Sequence, residues 1–259
     1  MKKLITLIMA VMLTATAIYA QEKKEESKTI GLSFGANYAS NYLWRGTNWF
    51  GGHAAYMPFI SYDIAGIGLV ATITGEITDG YGKVSNANFA KQSVDFALDY
   101  SYTFGKIFTV GAGAWYWWYL ISQHSNSTDL SYMTAYVSFG LKVPLNPTIF
   151  YTHDFYFANK DYKYGDFYIQ LKLSQDIPLP KGAVIKLGAA LGLYNMYSTT
   201  LTKYEFDVSD ITFFGGLGIE VQGVTLTGTL NYTIVPSKKF EASPDFGKFS
   251  LNVAASYAL

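Results

Sequence analysis

The sequence has 259 residues, no cysteine, and 19 basic residues against 19 acidic ones, for a formal net charge of zero. That balance argues against a basic nucleic-acid binder, and the lack of cysteine excludes disulfides and an N-terminal lipid carried on Cys. Aromatic residues make up 17% of the chain and charged residues 15%, against roughly 25% charged in a soluble average.

Lys2 and Lys3 precede an apolar run, Leu4–Leu13, that is too short to cross a bilayer, and small residues follow to Ala20. Residues 1–20 therefore read as a secretory signal peptide, and residues 21–28 (QEKKEESK) as a disordered tail on the periplasmic side. Residues 29–259 read as one domain. Export without disulfides fits a bacterial envelope protein. No apolar run after residue 20 is long enough for a transmembrane helix.

The first strand is expected at Thr29–Gly46, TIGLSFGANYASNYLWRG. Ile30, Leu32, Phe34, Ala36, Tyr38, Ser40, Tyr42 and Trp44 fall on one side, and mainly small or amide side chains, with Leu43 and Arg45, fall on the other. Period-two alternation with an aromatic outer face is the signature of a strand that shows lipid one side and a lumen the other. Eleven further segments repeat it, at about His53–Ile64, Ile67–Thr78, Ser93–Phe104, Ile107–Ile121, Leu130–Val143, Thr148–Phe157, Asp166–Asp176, Ala183–Asn195, Ile211–Val221, Val224–Val235 and Lys248–Leu259. Connections after odd-numbered strands are mostly long and polar, and those after even-numbered strands are short turns. The expected fold is a transmembrane antiparallel up-and-down β-barrel of about twelve strands, with both termini in the periplasm.

Charge segregates with the alternation. Arg45, Asp63, Glu76, Asp95, Asp99, Lys142, Asp154, Lys172, Lys186 and Glu220 all fall in columns opposite the apolar ones. A basic side chain facing lipid at mid-depth would cost roughly 2–4 kcal/mol. In strand seven His153 and Asp154 compete for the lumen, and Asp154 is placed inside because a neutral imidazole is easier to leave near lipid. Trp115, Trp117 and Tyr119 then point into the lumen mouth, where they stack on flat solutes or, the reading adopted here, pack against a folded-in loop. Glu76, Asp95 and Asp154 gather in the outer half beside Arg45, while Lys142, Lys172 and Lys186 lie in the periplasmic half, partly offset by Asp63, Asp99 and Glu220.

Ser40–Gly46 (SNYLWRG), and the stretch from Pro147 through Asp154 to Leu179, resemble the TorF-like porin family, whose members are outer-membrane barrels with few assigned roles. The resemblance implies an envelope location and a barrel. The final strand alternates Phe249, Leu251, Val253, Ala255, Tyr257 and Leu259, similar to the closing strand that the barrel-assembly machinery reads in outer-membrane proteins.

Signals for catalysis are weak. Gln123–Ser127 superficially resembles the His-x-Ser-Asn of lipid A deacylases, but its spacing differs and it lies in a loop. His53 and His153 have no metal-ligand spacing. The function expected is a porin-like channel for small solutes, not an enzyme, with no cofactor and no metal. Its alternatives are a closed barrel anchoring extracellular loops, or a lipid-modifying barrel enzyme. Partners are outer-membrane lipids, the assembly machinery at the C-terminal strand, and a small-molecule solute, with no nucleic acid.

Overall fold

The computed structural model describes residues 30–48, 50, 52–64, 67–78, 92–119, 131–156, 165–198, 203–237 and 249–259. Twelve antiparallel strands close into a barrel. In chain order these are β1 (Leu32–Ala39), β4 (Ala55–Ile64), β5 (Leu69–Thr78), β6 (Gln92–Phe104), β7 (Phe108–Tyr119), β8 (Tyr132–Leu141), β9 (Thr148–Tyr156), β10 (Phe167–Pro178), β11 (Val184–Ser198), β12 (Lys203–Val221), β13 (Val224–Ile234) and β14 (Phe249–Ala258). β1 pairs with both β4 and β14, which closes the barrel sheet on itself. Two short strands, β2 (Leu43–Trp44) and β3 (Thr47–Asn48), form a separate hairpin. Among the described residues no helix is long and apolar enough to cross a membrane.

The alternation sets the two faces. On β6, Phe96, Leu98, Tyr100, Tyr102 and Phe104 are exposed on the outer wall, while Ser93 and Asp95 are buried inside. Neighbouring strands repeat this with Tyr56, Ile60, Ile73, Phe139, Leu171, Leu173 and Phe213 outside. One barrel end carries the close turns and the meeting of Ile30 with Leu259, and is called the turn end. The other is the loop end. Gln222 and Gly223 join β12 to β13 with positive φ of 49° and 81°, as a two-residue type I′ hairpin requires.

Three boundaries differ from expectation, each for a local reason. The first strand stops at Ala39, not Gly46. At Ser40 the side chain enters the ladder: Leu251 N donates to Ser40 Oγ at 2.8 Å while Ser40 N donates to Leu251 O. The chain then leaves the wall. The sixth strand ends at Leu141, because Leu141 N turns to Pro147 O and Leu145 and Asn146 adopt positive φ. Lys142 is thus exposed in the turn, beyond the lumen wall it was assigned to.

The third difference is on β11 and β12, which run further toward the loop end than Asn195 and Ile211 suggested. A bulge between Gly192 and Leu193 leaves Ser209 as the extra residue: Gly192 faces Asp210, but Leu193 faces Val208. Alternation read straight through this point turns Phe206 inward, whereas the shifted register leaves it exposed outside. The signal-peptide and tail segments, the Ala65–Gly66 turn and the Gln123–Ser127 motif lie outside the described residues.

Candidate functional site: the lumen and its inserted hairpin

Once off the wall at Ser40, the chain folds inside the barrel. β2 and β3 are joined by Arg45 and Gly46, both at positive φ (51° and 79°), again a type I′ turn. This tight tip carries the guanidinium across the bore. Arg45 Nη1 donates to Asp154 Oδ2 at 2.5 Å and Nη2 to Oδ1 at 3.1 Å, a two-pronged pair with a β9 carboxylate. Thr134 Oγ1 on β8 donates to the same carboxylate at 2.7 Å, and Trp117 Nε1 donates to Thr134. The guanidinium also lies over the rings of Trp44, Tyr168 and Tyr194, at 5.1–5.5 Å from their centres.

The remaining contacts of the hairpin run round the wall. Trp44 meets Trp115 and Trp117 of β7 edge-on at 6.1 and 5.7 Å. Tyr42 stacks on Phe50 and hydrogen-bonds Glu76 of β5. Gly46 sits against β12, where an added Cβ would lie 2.6 Å from the Ser209 carbonyl oxygen. Glycine is required there twice over, by its φ and by this approach.

Acids crowd the loop end. Glu76 and Asp95 are both buried, and Ser93 Oγ lies 3.3 Å from Glu76 Oε2 and 3.0 Å from Asp95 Oδ1. Asp166 accepts from Tyr156 and Asp210 from Ser209. Asp154 is buried inside, while His153 lies at 3.2 Å from Tyr151 Oη, with Tyr151 exposed on the outer wall. Asp166, Asp210, Thr134 and Tyr194 belong to this constellation and escaped the sequence reading. Asp210 had a signal, since it continues the column of Thr212 and Phe214.

Toward the turn end the lumen opens. A cavity of about 760 Å³ lies beneath the hairpin, lined by threonines and asparagines of β1, β13 and β14 and by Trp115, Phe150, Lys172 and Phe214. Asp99 accepts from Trp115 Nε1 at 3.0 Å and Tyr136 Oη at 2.7 Å. Lys186 lies 3.9 Å from Asp176 in an exposed pair. Glu220 is exposed one residue before the end of β12. The backbone of Tyr119 pairs with Ser93. The structure therefore brings Arg45 to Asp154, Glu76 to Asp95 and Trp115 to Asp99, with Trp117 in the hairpin's contact set. Lys142, Lys186 and Glu220 lie at the turn end, away from the hairpin.

No family model matches this sequence, and no curated protein matches it. Solved structures do. A KdgM porin superposes with a TM-score of 0.53 at 13% identity, covering 88% of this chain and 99% of its own. A NanC porin superposes at 0.51 and 13% identity, covering 88% of this chain and all of its own. The fold is theirs. At such identity the likeness concerns the twelve-stranded architecture and not the residues in the bore.

Proposed function

We propose that the chain is an outer-membrane channel of the porin kind, passing small solutes through a bore narrowed by its first loop. The observation that carries this reading is the pairing of a hairpin held within the lumen with a polar cavity of about 760 Å³ beneath it. A purely structural barrel has no need of a hollow lined by hydroxyls and amides, whereas a solute path needs both a wet bore and a narrow point that selects. The exposed apolar outer wall is the lipid face. The short turns and termini face the periplasm, residues 1–20 are removed on export, residues 21–28 form the tail, and residues 29–259 constitute the barrel. The SNYLWRG segment, which supplies the inserted tip, supports placing the chain with the TorF-like porins. Its alternating last strand is the segment the assembly machinery would engage.

Single-channel recording of protein refolded into a planar bilayer tests this reading. Wild-type protein should show discrete conductance, and Arg45→Ala, which releases the tip, should raise it. Silence from both proteins would overturn the channel and leave the closed anchor. That second reading has its own support in the packed loop end, where the hairpin touches β5, β7, β9 and β12.

A further inference from the structure

The lumen cations differ in how they are neutralised. Arg45 is paired with Asp154, and Lys186 with Asp176. Lys172 is not paired: among the described residues no carboxylate lies within ion-pair distance of its ammonium, and no acceptor hydrogen-bonds it. The charges that act on it are Lys186, of like sign, and Asp176, already turned to Lys186. Its one close partner is the Phe214 ring, 5.2 Å from Nζ, which holds a cation in place without cancelling its charge. Lys172 is half-buried and lines the cavity.

The wall beside it is aromatic. Lys172 faces Thr148 across the β9–β10 ladder and Gln170 faces Phe150, so Phe150 is the diagonal neighbour of Lys172, at roughly 7–8 Å along the wall. Phe150 packs on Trp115 at 6.0 Å and on Tyr136 at 5.0 Å, and Trp115 and Phe150 both line the cavity. A free positive charge therefore stands next to a broad ring surface within one water-accessible space.

We propose that this corner of the lumen is a binding subsite for a small ring-bearing monocarboxylate, its carboxylate on the Lys172 ammonium and its ring against Phe150 and Trp115. Arg45 also lines the cavity, but its guanidinium is engaged by Asp154, so a single uncompensated ammonium remains, and it suits one negative charge better than a phosphate dianion. The neutral hydroxyls and amides around the cavity add donors without adding charge. The proposal rests on the channel reading for the solute's access to the lumen.

Isothermal titration of the refolded, detergent-solubilised full barrel with benzoate and, separately, glucuronate tests it, with acetate and benzamide as probes lacking the ring and the charge. Heat-modifiable mobility on a gel verifies that each variant is folded. At least one ring acid should bind, its identity distinguishing an aromatic from a sugar-acid ligand, while acetate and benzamide bind weakly. Lys172→Gln should lower the ring acid's affinity about tenfold or more, Lys172→Arg should retain most of it, and Phe150→Ala should narrow the gap between ring acid and acetate. Equal affinities for ring acids and acetate, or a Lys172→Gln barrel that binds like wild type, would overturn the subsite. Ion conduction by a barrel that binds none of these probes defeats the subsite and leaves the channel. Binding by a barrel that does not conduct defeats the channel and leaves the subsite.

Discussion

Two ion pairs in the same bore show how differently its halves are built. At the loop end Arg45 and Asp154 meet at 2.5 Å with side chains 3% and 2% exposed. At the turn end Lys186 and Asp176 stand 3.9 Å apart with side chains 41% and 60% exposed. In the first, charge is removed from water and must be matched atom for atom, so the pair fixes a loop in one place. In the second, water and salt do most of the matching, so the pair fixes little. The loop half is a packed interior turned inside a barrel, and the turn half is a wetted surface curved into a tube.

The sharpest way to break this contrast is to leave Arg45 buried without its partner. Asp154→Ala should destabilise the refolded barrel by about 3–5 kcal/mol in urea unfolding, and Arg45→Ala added to it should restore much of the loss. A single-variant cost below 1 kcal/mol would mean that the tip leaves the lumen easily. The outer wall, in contrast, should not distinguish the halves. Phe96→Arg on β6 and Leu173→Arg on β10 replace exposed apolar side chains, and near mid-depth each should cost roughly 2–4 kcal/mol. Ala97→Lys, one position from Phe96 and on the inner face, should cost clearly less by the same unfolding measurement.

Gly46→Ala probes the hairpin tip by shape alone. The left-handed backbone and the Ser209 approach together should cost about 1–2 kcal/mol or more, and conductance should rise as the tip is displaced. The smallest effect belongs to the turn end. Asp176→Asn should change stability by about 0–1 kcal/mol, and that difference should vanish in molar salt, whereas the Asp154 effect should persist there.

The wall was legible in the sequence because a lipid-facing strand has to declare itself at every second residue. Phe96 to Phe104 and Phe249 to Tyr257 leave one choice of face each, and the Gln222–Gly223 turn follows from the spacing of its neighbours. The lumen was less legible, since its residues answer to partners far away in the chain. The alternation places Arg45 inside, yet it continues through Ser40 to Trp44 and by itself predicts more strand. Only the Ser40 hydroxyl, substituting for a backbone acceptor, ends the ladder there. The Ser209 bulge hid the upper part of β12 for a related reason: one extra residue reverses the faces, and Glu205 and Asp207 then look like loop. Lys142 fell on the correct column of a strand that two prolines cut short.

The position of Arg45 also bears on the order of events during assembly. Its partner lies 109 residues further along the chain, and the tip it occupies abuts β12 through Gly46 and Ser209. Contacts of such long sequence separation form late, because the intervening chain must first be organised. The hairpin is made early, from residue pairs three and five apart, but has nothing to dock on until most of the wall exists. A nascent barrel therefore passes through a stage with a finished hairpin and an unstoppered bore, and insertion of the tip is a closing step that registers the presence of β9 and β12.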